Sequence, residues 1–225
     1  MAAKMNKHEL EEPDKLQLFF FSIRTFAEKH RGRIYAGAGI FILIVLLAGG
    51  WYLYQDRYET SAGILYDQIT DIALKKDSPA GNGTAIKGYK DLISRYPRSR
   101  VAITAYYRLG NLYYGRHEYD AAISFYQDFL RHAHAKSDLM TMAYIGLGAS
   151  QEEKKDFNKA LESYDLAMKT PAAPLFEVLN YSSIARIYEA KNEPTKAAEF
   201  YRKALDKTTD PLMTLFLKRK LAFLG

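Results

Sequence analysis

Apolar positions follow three patterns along this chain. From Ile34 to Tyr54 the sequence IYAGAGIFILIVLLAGGWYLY runs for 21 residues without a charge. At about 1.5 Å per helical residue, that is enough to cross a hydrocarbon layer of about 30 Å. Before it, Leu16, Phe19, Phe20, Ile23 and Ala27 recur at helical spacing, widened by Leu18, Phe21 and Phe26, after a candidate N-cap at Asp14. After it, Ile64, Leu65, Ile69, Ile72 and Ala73 form a helical stripe between Gln55 and Lys76, and the stretch Ser78-Pro79-Ala80-Gly81-Asn82-Gly83 predicts a break. The residues from Met1 to Glu12 are polar and aperiodic and are expected to be a disordered tail.

The uncharged run predicts a transmembrane helix, because a buried helix of a soluble core normally keeps some polar positions. Ala48-Gly49-Gly50 resembles a signal-peptide cleavage site, but the preceding tail and the apolar run are both longer than a cleaved leader uses. An uncleaved signal anchor is therefore expected. Lys15, Arg24, Lys29, Arg31 and Arg33 precede the run, whereas Arg57 and Lys75 are scattered among Asp56, Glu59, Asp67 and Asp71 beyond it. Positive charge holds the N-terminal side in the cytoplasm, so the C-terminal region is expected on the outer face, with Trp51, Tyr52 and Tyr54 at the outer interface. The segment before the run is expected to lie on the inner membrane surface and turn into the span at Gly32. Continuation of the membrane helix is the alternative.

The region after the break repeats itself. Ala85, Ala122, Ala160 and Ala197 are separated by 37, 38 and 37 residues, and each is followed four residues later by a tyrosine: Tyr89, Tyr126, Tyr164 and Tyr201. Twelve residues before the last three alanines stand the small residues Gly110, Gly148 and Ala185, each after Leu109, Leu147 or Ile184, and three positions earlier come Tyr106, Tyr144 and Tyr181. Small residues opposite large ones at three- and four-residue spacing describe a helical hairpin whose second helix lies close to the first. Asp120, Asn158 and Thr195 are candidate N-caps of the second helices.

These positions resemble the tetratricopeptide repeat, including Tyr113, Phe129, Tyr188 and Ala204. The resemblance implies an all-α fold, a single N-terminal transmembrane helix followed by an α-solenoid of stacked hairpins. The expected boundaries are a tail at 1–33, an anchor at 34–54, a repeat domain at 55–211 and a capping helix at 212–225. Within the domain a divergent unit at 55–99, with Pro97 at its end, precedes repeats at about 103–136, 141–174 and 178–211. The period exceeds the family's 34 residues by about one helical turn, so lengthened helices are expected at Arg131 to Asp138 and Thr170 to Glu177, with Pro171 and Pro174 breaking the latter. Leu212, Phe216, Leu217, Leu221 and Phe223 are expected to cover the last hairpin, with Lys218, Arg219 and Lys220 facing water.

Repeat stacks bind along the surface lined by their first helices. The residues expected there form a protein-binding groove: Tyr107, Arg108, Asn111, Tyr114, Met142, Ile145, Ser182 and Arg186, beside Thr104, Ala149, Glu152, Leu179 and Glu189. Tyr107 and Tyr114 could instead be buried by a neighbouring helix or by Gln55 to Lys76 folding back. Only Asn111 fits the family's carboxylate clamp, so no such clamp is expected.

Composition narrows the chemistry. The chain has no cysteine, which excludes disulfides and thiolate sites, and its 32 basic against 26 acidic residues give +6 without a basic stripe, so nucleic acid is not expected. His132 and His134 lie two apart and point to different helix faces, so no metal is expected. No set of converging polar groups stands out, so neither catalysis nor a cofactor is expected.

Together, the tail with its Asp-Lys-Leu-Gln-Leu-Phe-Phe segment, the anchor ending in Trp51-Tyr52 and the outer repeats resemble the ancillary subunit family of the bacterial SecYEG translocon. That resemblance implies a bacterial inner-membrane protein with one span, a cytoplasmic N-terminus and a periplasmic repeat scaffold. Its implied partners are translocon subunits, exported polypeptides and periplasmic chaperones. Tyr96-Pro97-Arg98-Ser99 resembles repeats of envelope-assembly and cell-division coordination scaffolds, which form the alternative. A membrane-bound enzyme with an unrecognised site is a further one.

Overall fold

The structure, a computed structural model, describes residues 15–75, 79–133 and 139–224. The expected tail, the Asp14 cap and His134 lie outside the described residues. The chain divides into two compact units, Met1–Arg57 and Tyr58–Gly225.

The described part of the first unit, residues 15–57, lies within helix α1, Lys15–Lys75. Its one non-helical residue is His30 (φ −115°, ψ 17°), two positions before Gly32, and the His30 ring sits 4.7 Å from that of Phe26. Every residue from Ile34 to Tyr54 is exposed, and α1 is the one helix among the described residues long and apolar enough to cross a membrane.

In the second unit, the end of α1 from Tyr58 onward is followed by α2 (Pro79–Arg95) and by three pairs: α3 (Arg100–Gly115) with α4 (Tyr119–His132), α5 (Leu139–Glu153) with α6 (Phe157–Met168), and α7 (Glu177–Ala190) with α8 (Pro194–Lys207). Helix α9 (Pro211–Leu224) packs on α8. The break expected over Ser78 to Gly83 is shorter: α2 starts at Pro79, whose missing N–H costs nothing in a first turn. The stripe at the end of α1 is also narrower than expected. Ala62 and Ile69 are buried, while Ile64 and Ile72 face outward.

Each hairpin is locked by the tyrosine of its second helix. A Cβ on Gly110 would lie 2.6 Å from the Tyr126 ring, and one on Gly148 would lie 3.0 Å from Tyr164, so only a hydrogen atom fits between helix and ring. The tyrosine hydroxyls then reach back to polar groups of the first helices. Tyr126 donates to Asn111 at 2.7 Å, Tyr164 to Glu152 at 3.1 Å and Tyr201 to Glu189 at 2.7 Å, and the Tyr89 hydroxyl pairs with Thr70 at 3.0 Å. A buried phenol with its hydrogen bond made avoids the cost of an unpaired polar group.

The turns differ from expectation. The second helices are capped at Glu118, Asp156 and Glu193, not at Asp120, Asn158 and Thr195, which lie two residues inside. The residue before each cap, His117, Lys155 or Asn192, has φ near +60°, and the cap N–H returns to Tyr113, Gln151 or Tyr188. This is a Schellman closure of the first helix, and the backbone reversal itself sets the start of the second. Among the described residues, the extra residues of the long period also do not lengthen helices. Helix α4 ends at His132, α6 ends at Met168, and residues 170–176 form a turn with a 3-10 segment, Ala173–Phe176. Pro171 and Pro174 cannot continue a helical ladder. Residues 134–138 lie outside the described residues.

Helix α9 ends the stack in an unusual way. Lys220 bonds Glu189 at 2.9 and 3.1 Å, as Arg186 bonds Glu152, and stands 34 residues after Arg186. In the same register Arg219 occupies the place of Gly110, Gly148 and Ala185, where a following helix would have to come close. A long cation stands there instead. Leu217 is buried, as expected, and Leu221 packs beside it, but Leu212, Phe216 and Phe223 point outward with Leu215, and Lys220 is held by Glu189 instead of facing water.

Candidate protein-binding pocket

The first helices α3, α5 and α7 enclose a pocket of about 240 Å³. Helix α3 supplies Tyr107, Asn111 and Tyr114, and α5 supplies Met142, Ile145 and Ala149. The Tyr126 ring and Gly146 form part of the wall, and Phe176 and Leu179 close the far side. Among the described residues, none from 55–75 lines it.

Helical spacing places these groups. Tyr107, Asn111 and Tyr114 are four and three apart and share one face of α3, and Met142, Ile145 and Ala149 do the same on α5. A Cβ on Gly146 would lie 2.5 Å from Tyr126 Cζ, so the glycine admits the ring tip against α5. Tyr126 thus sits between the glycines of two successive first helices. Burial pushes its phenol well above the usual range, and the neighbouring Tyr107 and Tyr114 add to the effect. The Tyr114 phenol is raised by burial first and then by the Glu153 carboxylate.

The eight expected groove residues do not all line the pocket. Five line the pocket: Tyr107, Asn111, Tyr114, Met142 and Ile145. Tyr107 is 6% exposed, because the rings of Tyr126 and Phe129 cover it at 6.1 and 5.8 Å, so it contributes to the wall and not to an open surface. Arg108 stands one turn before Asn111, and its Nε donates to the Tyr66 hydroxyl at 3.1 Å. Ser182 and Arg186 do not line the pocket, although the Arg186 charge acts on the Tyr114 phenol. The Ser182 hydroxyl donates to the Val178 carbonyl at 2.6 Å, and Arg186 grips Glu152 through Nε at 2.5 Å and a terminal nitrogen at 2.9 Å.

Tyr126, Gly146 and Phe176 escaped sequence reasoning. Gly146, two residues before the repeat glycine Gly148, was the available signal. His132 is exposed and stacks on Tyr106 at 5.4 Å. Tyr96-Pro97-Arg98-Ser99 has local work: Tyr96 packs on Tyr58 at 5.3 Å, and the Ser99 hydroxyl accepts the Ala102 N–H at 3.1 Å as the cap of α3. Among the described residues no group of three or more His, Cys, Asp or Glu could hold a metal ion.

The sequence profile described as "Tetratricopeptide repeat-like domain" matches residues 24–225. The chain belongs to this family. The match begins ahead of the uncharged run, so the family pattern takes in most of α1 as well as the hairpins. No curated protein sequence matches the chain. Among solved structures, it is similar to MamA (41-end) from Desulfovibrio magneticus RS-1, with TM-score 0.54 and 18% identity over 65% of this chain and 75% of that one. It is also similar to PilF of Pseudomonas aeruginosa, with TM-score 0.56 and 16% identity over 73% and 69%. The apo form of RapI gives TM-score 0.61 and 12% identity over 73% and 62%. At these identities the likeness is one of fold, stacked helical hairpins.

Proposed function

We propose that this protein is a membrane-anchored scaffold whose first-helix surface holds a polypeptide partner. One observation carries the anchoring: 21 uncharged residues of α1 are all exposed. Exposed apolar area of that extent is unfavourable in water at about 25 cal/mol per Å² and favourable in hydrocarbon. The excess of Lys and Arg on the N-terminal side orients that side to the cytoplasm and the hairpins to the periplasm of a bacterial inner membrane. The kink at His30 lets the preceding apolar and basic segment lie along the inner surface. Within this reading the protein stands beside the SecYEG translocon and passes exported chains to periplasmic chaperones, an assignment supported by the whole-chain resemblance of tail, anchor and repeats.

The absence of native cysteine makes the topology directly measurable. Ser22→Cys and Asn158→Cys, both at exposed positions, are to be treated separately with a membrane-impermeant maleimide in spheroplasts. The expected result is labelling of Asn158→Cys in intact spheroplasts and of Ser22→Cys only after permeabilisation. The opposite pattern, or recovery of the full chain in the soluble fraction, overturns the reading.

A further inference from the structure

Helix α9 occupies the register of a first helix, since Lys220 bonds Glu189 of α7 as Arg186 bonds Glu152 of α5. In that register Lys218 takes the place of Leu109, Leu147 and Ile184, and Arg219 that of Gly110, Gly148 and Ala185. In α3, α5 and α7 these two positions are buried and seat the second helix of the hairpin, whose tyrosine packs against the small residue. In α9 both positions carry exposed cations.

The rest of that side is apolar. Leu212, Phe216, Arg219 and Phe223 follow one another at spacings of four, three and four and share a face, with Leu215 and Ala222 beside them. Leu212, Leu215 and Phe223 are 78%, 67% and 75% exposed. A cleft of about 370 Å³ is lined by Phe216, Phe223, Arg219 and the Lys220–Glu189 pair. Lys218 lies three residues after Leu215 and four before Ala222, so it borders the face, and Arg219 stands over the Phe223 ring at 5.6 Å. The helix contains no Asp or Glu, and Glu189 is taken by Lys220, which leaves Lys218 and Arg219 without a carboxylate among the described residues.

Charge and shape together select the occupant. A protein helix seated in the manner of α4, α6 or α8 would strip water from two cations that α9 cannot pair, which is costly. A second copy docking α9 on α9 would set three cations against three. An anionic lipid surface answers both features, because apolar side chains enter the acyl region while long cations reach the phosphates from the same side of the helix. We propose that α9 is an interfacial helix that docks the end of the hairpin stack on an anionic bilayer. Leu212, Leu215, Phe216 and Phe223 enter the bilayer, and Lys218 and Arg219 meet lipid phosphates. This inference rests on the anchored reading, which supplies the bilayer.

The test uses the full chain reconstituted in phosphatidylcholine vesicles with or without phosphatidylglycerol. Because the chain has no native cysteine, Ala222→Cys carries an environment-sensitive fluorophore, and Asn158→Cys carries it as the control. Nitroxide-labelled lipids are expected to quench the probe at 222 in anionic vesicles and not the probe at 158, and to quench it less in neutral vesicles or at high salt. From the attraction of a single cation to an anionic surface, Lys218→Gln and Arg219→Gln are each expected to lower the docked-to-free ratio about fivefold, and together about thirtyfold. Leu212→Ser combined with Phe223→Ser is expected to abolish the quenching and keep the thermal midpoint, since both side chains are exposed. Quenching absent from both kinds of vesicle, or equal in both, overturns the inference. So does a spectral shift that grows with protein density without lipid quenching, the mark of a second copy. In each of these cases a chain that still floats with its vesicles leaves the anchored reading standing. A chain that floats with neither overturns both.

Discussion

The tyrosines of the second helices are the residues on which the stack turns. Tyr126 fills the gap between Gly110 and Gly146, so a methyl group at either glycine meets a ring that cannot move aside without losing its bond to Asn111. Gly146→Ala is expected to destabilise the second unit by about 1–3 kcal/mol, the usual cost of overpacking, read as a fall in the thermal midpoint. Tyr126→Phe keeps the ring and removes only the hydroxyl, at about 1 kcal/mol. The pH dependence follows from the same residues. Burial raises the Tyr126, Tyr164 and Tyr201 phenols above their ordinary value of 10.0, so the folded chain holds their protons when the unfolded chain begins to release them. Stability from this source is complete below pH 10 and declines as pH rises beyond it. A series of thermal melts from pH 8 to pH 11.5 is expected to be flat up to about pH 10 and then to fall, and less steeply for Tyr126→Phe.

At the scale of helices and turns, the three left-handed residues His117, Lys155 and Asn192 recur at one place of each hairpin. A side chain in that conformation costs roughly 1–2 kcal/mol that glycine avoids, partly offset by glycine's greater freedom in the unfolded chain. Lys155→Gly is therefore expected to raise stability by up to about 1 kcal/mol, measured by urea denaturation. The hairpins themselves were legible in the sequence because a small residue, a tyrosine and an alanine recur in fixed order, and each makes a pairwise contact that spacing alone implies. The caps were not, because the chain reverses through a backbone closure that no side chain announces, and the favourable N-cap residues Asp120 and Asn158 fall two positions late. Nor was the fate of the extra residues legible in the period, since a turn of helix and a turn around Pro171 and Pro174 consume similar lengths. The pocket was half legible: rotation around α3 and α5 brought together Tyr107, Asn111, Tyr114, Met142 and Ile145. Ser182 and Arg186 obeyed the same rotation but belong to a junction closed by Glu152, which only the pairing of neighbouring repeats reveals.

For the whole molecule, the proposed function assigns the membrane to the exposed uncharged helix and the partner to the hairpins. A chain starting at Tyr58 is expected to remain in the supernatant after ultracentrifugation, with a cooperative helical melt, whereas the full chain sediments with membranes. In the proposed function the α3–α5 junction receives other polypeptides. This is tested most directly by a photoreactive residue placed at Met142, beside one at Lys159 on the second-helix side as control, with the products of irradiating intact cells identified by mass spectrometry. Adducts from Met142 with translocon subunits and exported chains are expected, and none from Lys159. Equal crosslinking from both positions, or adducts from Met142 confined to peptidoglycan and outer-membrane assembly factors, would contradict the proposed function.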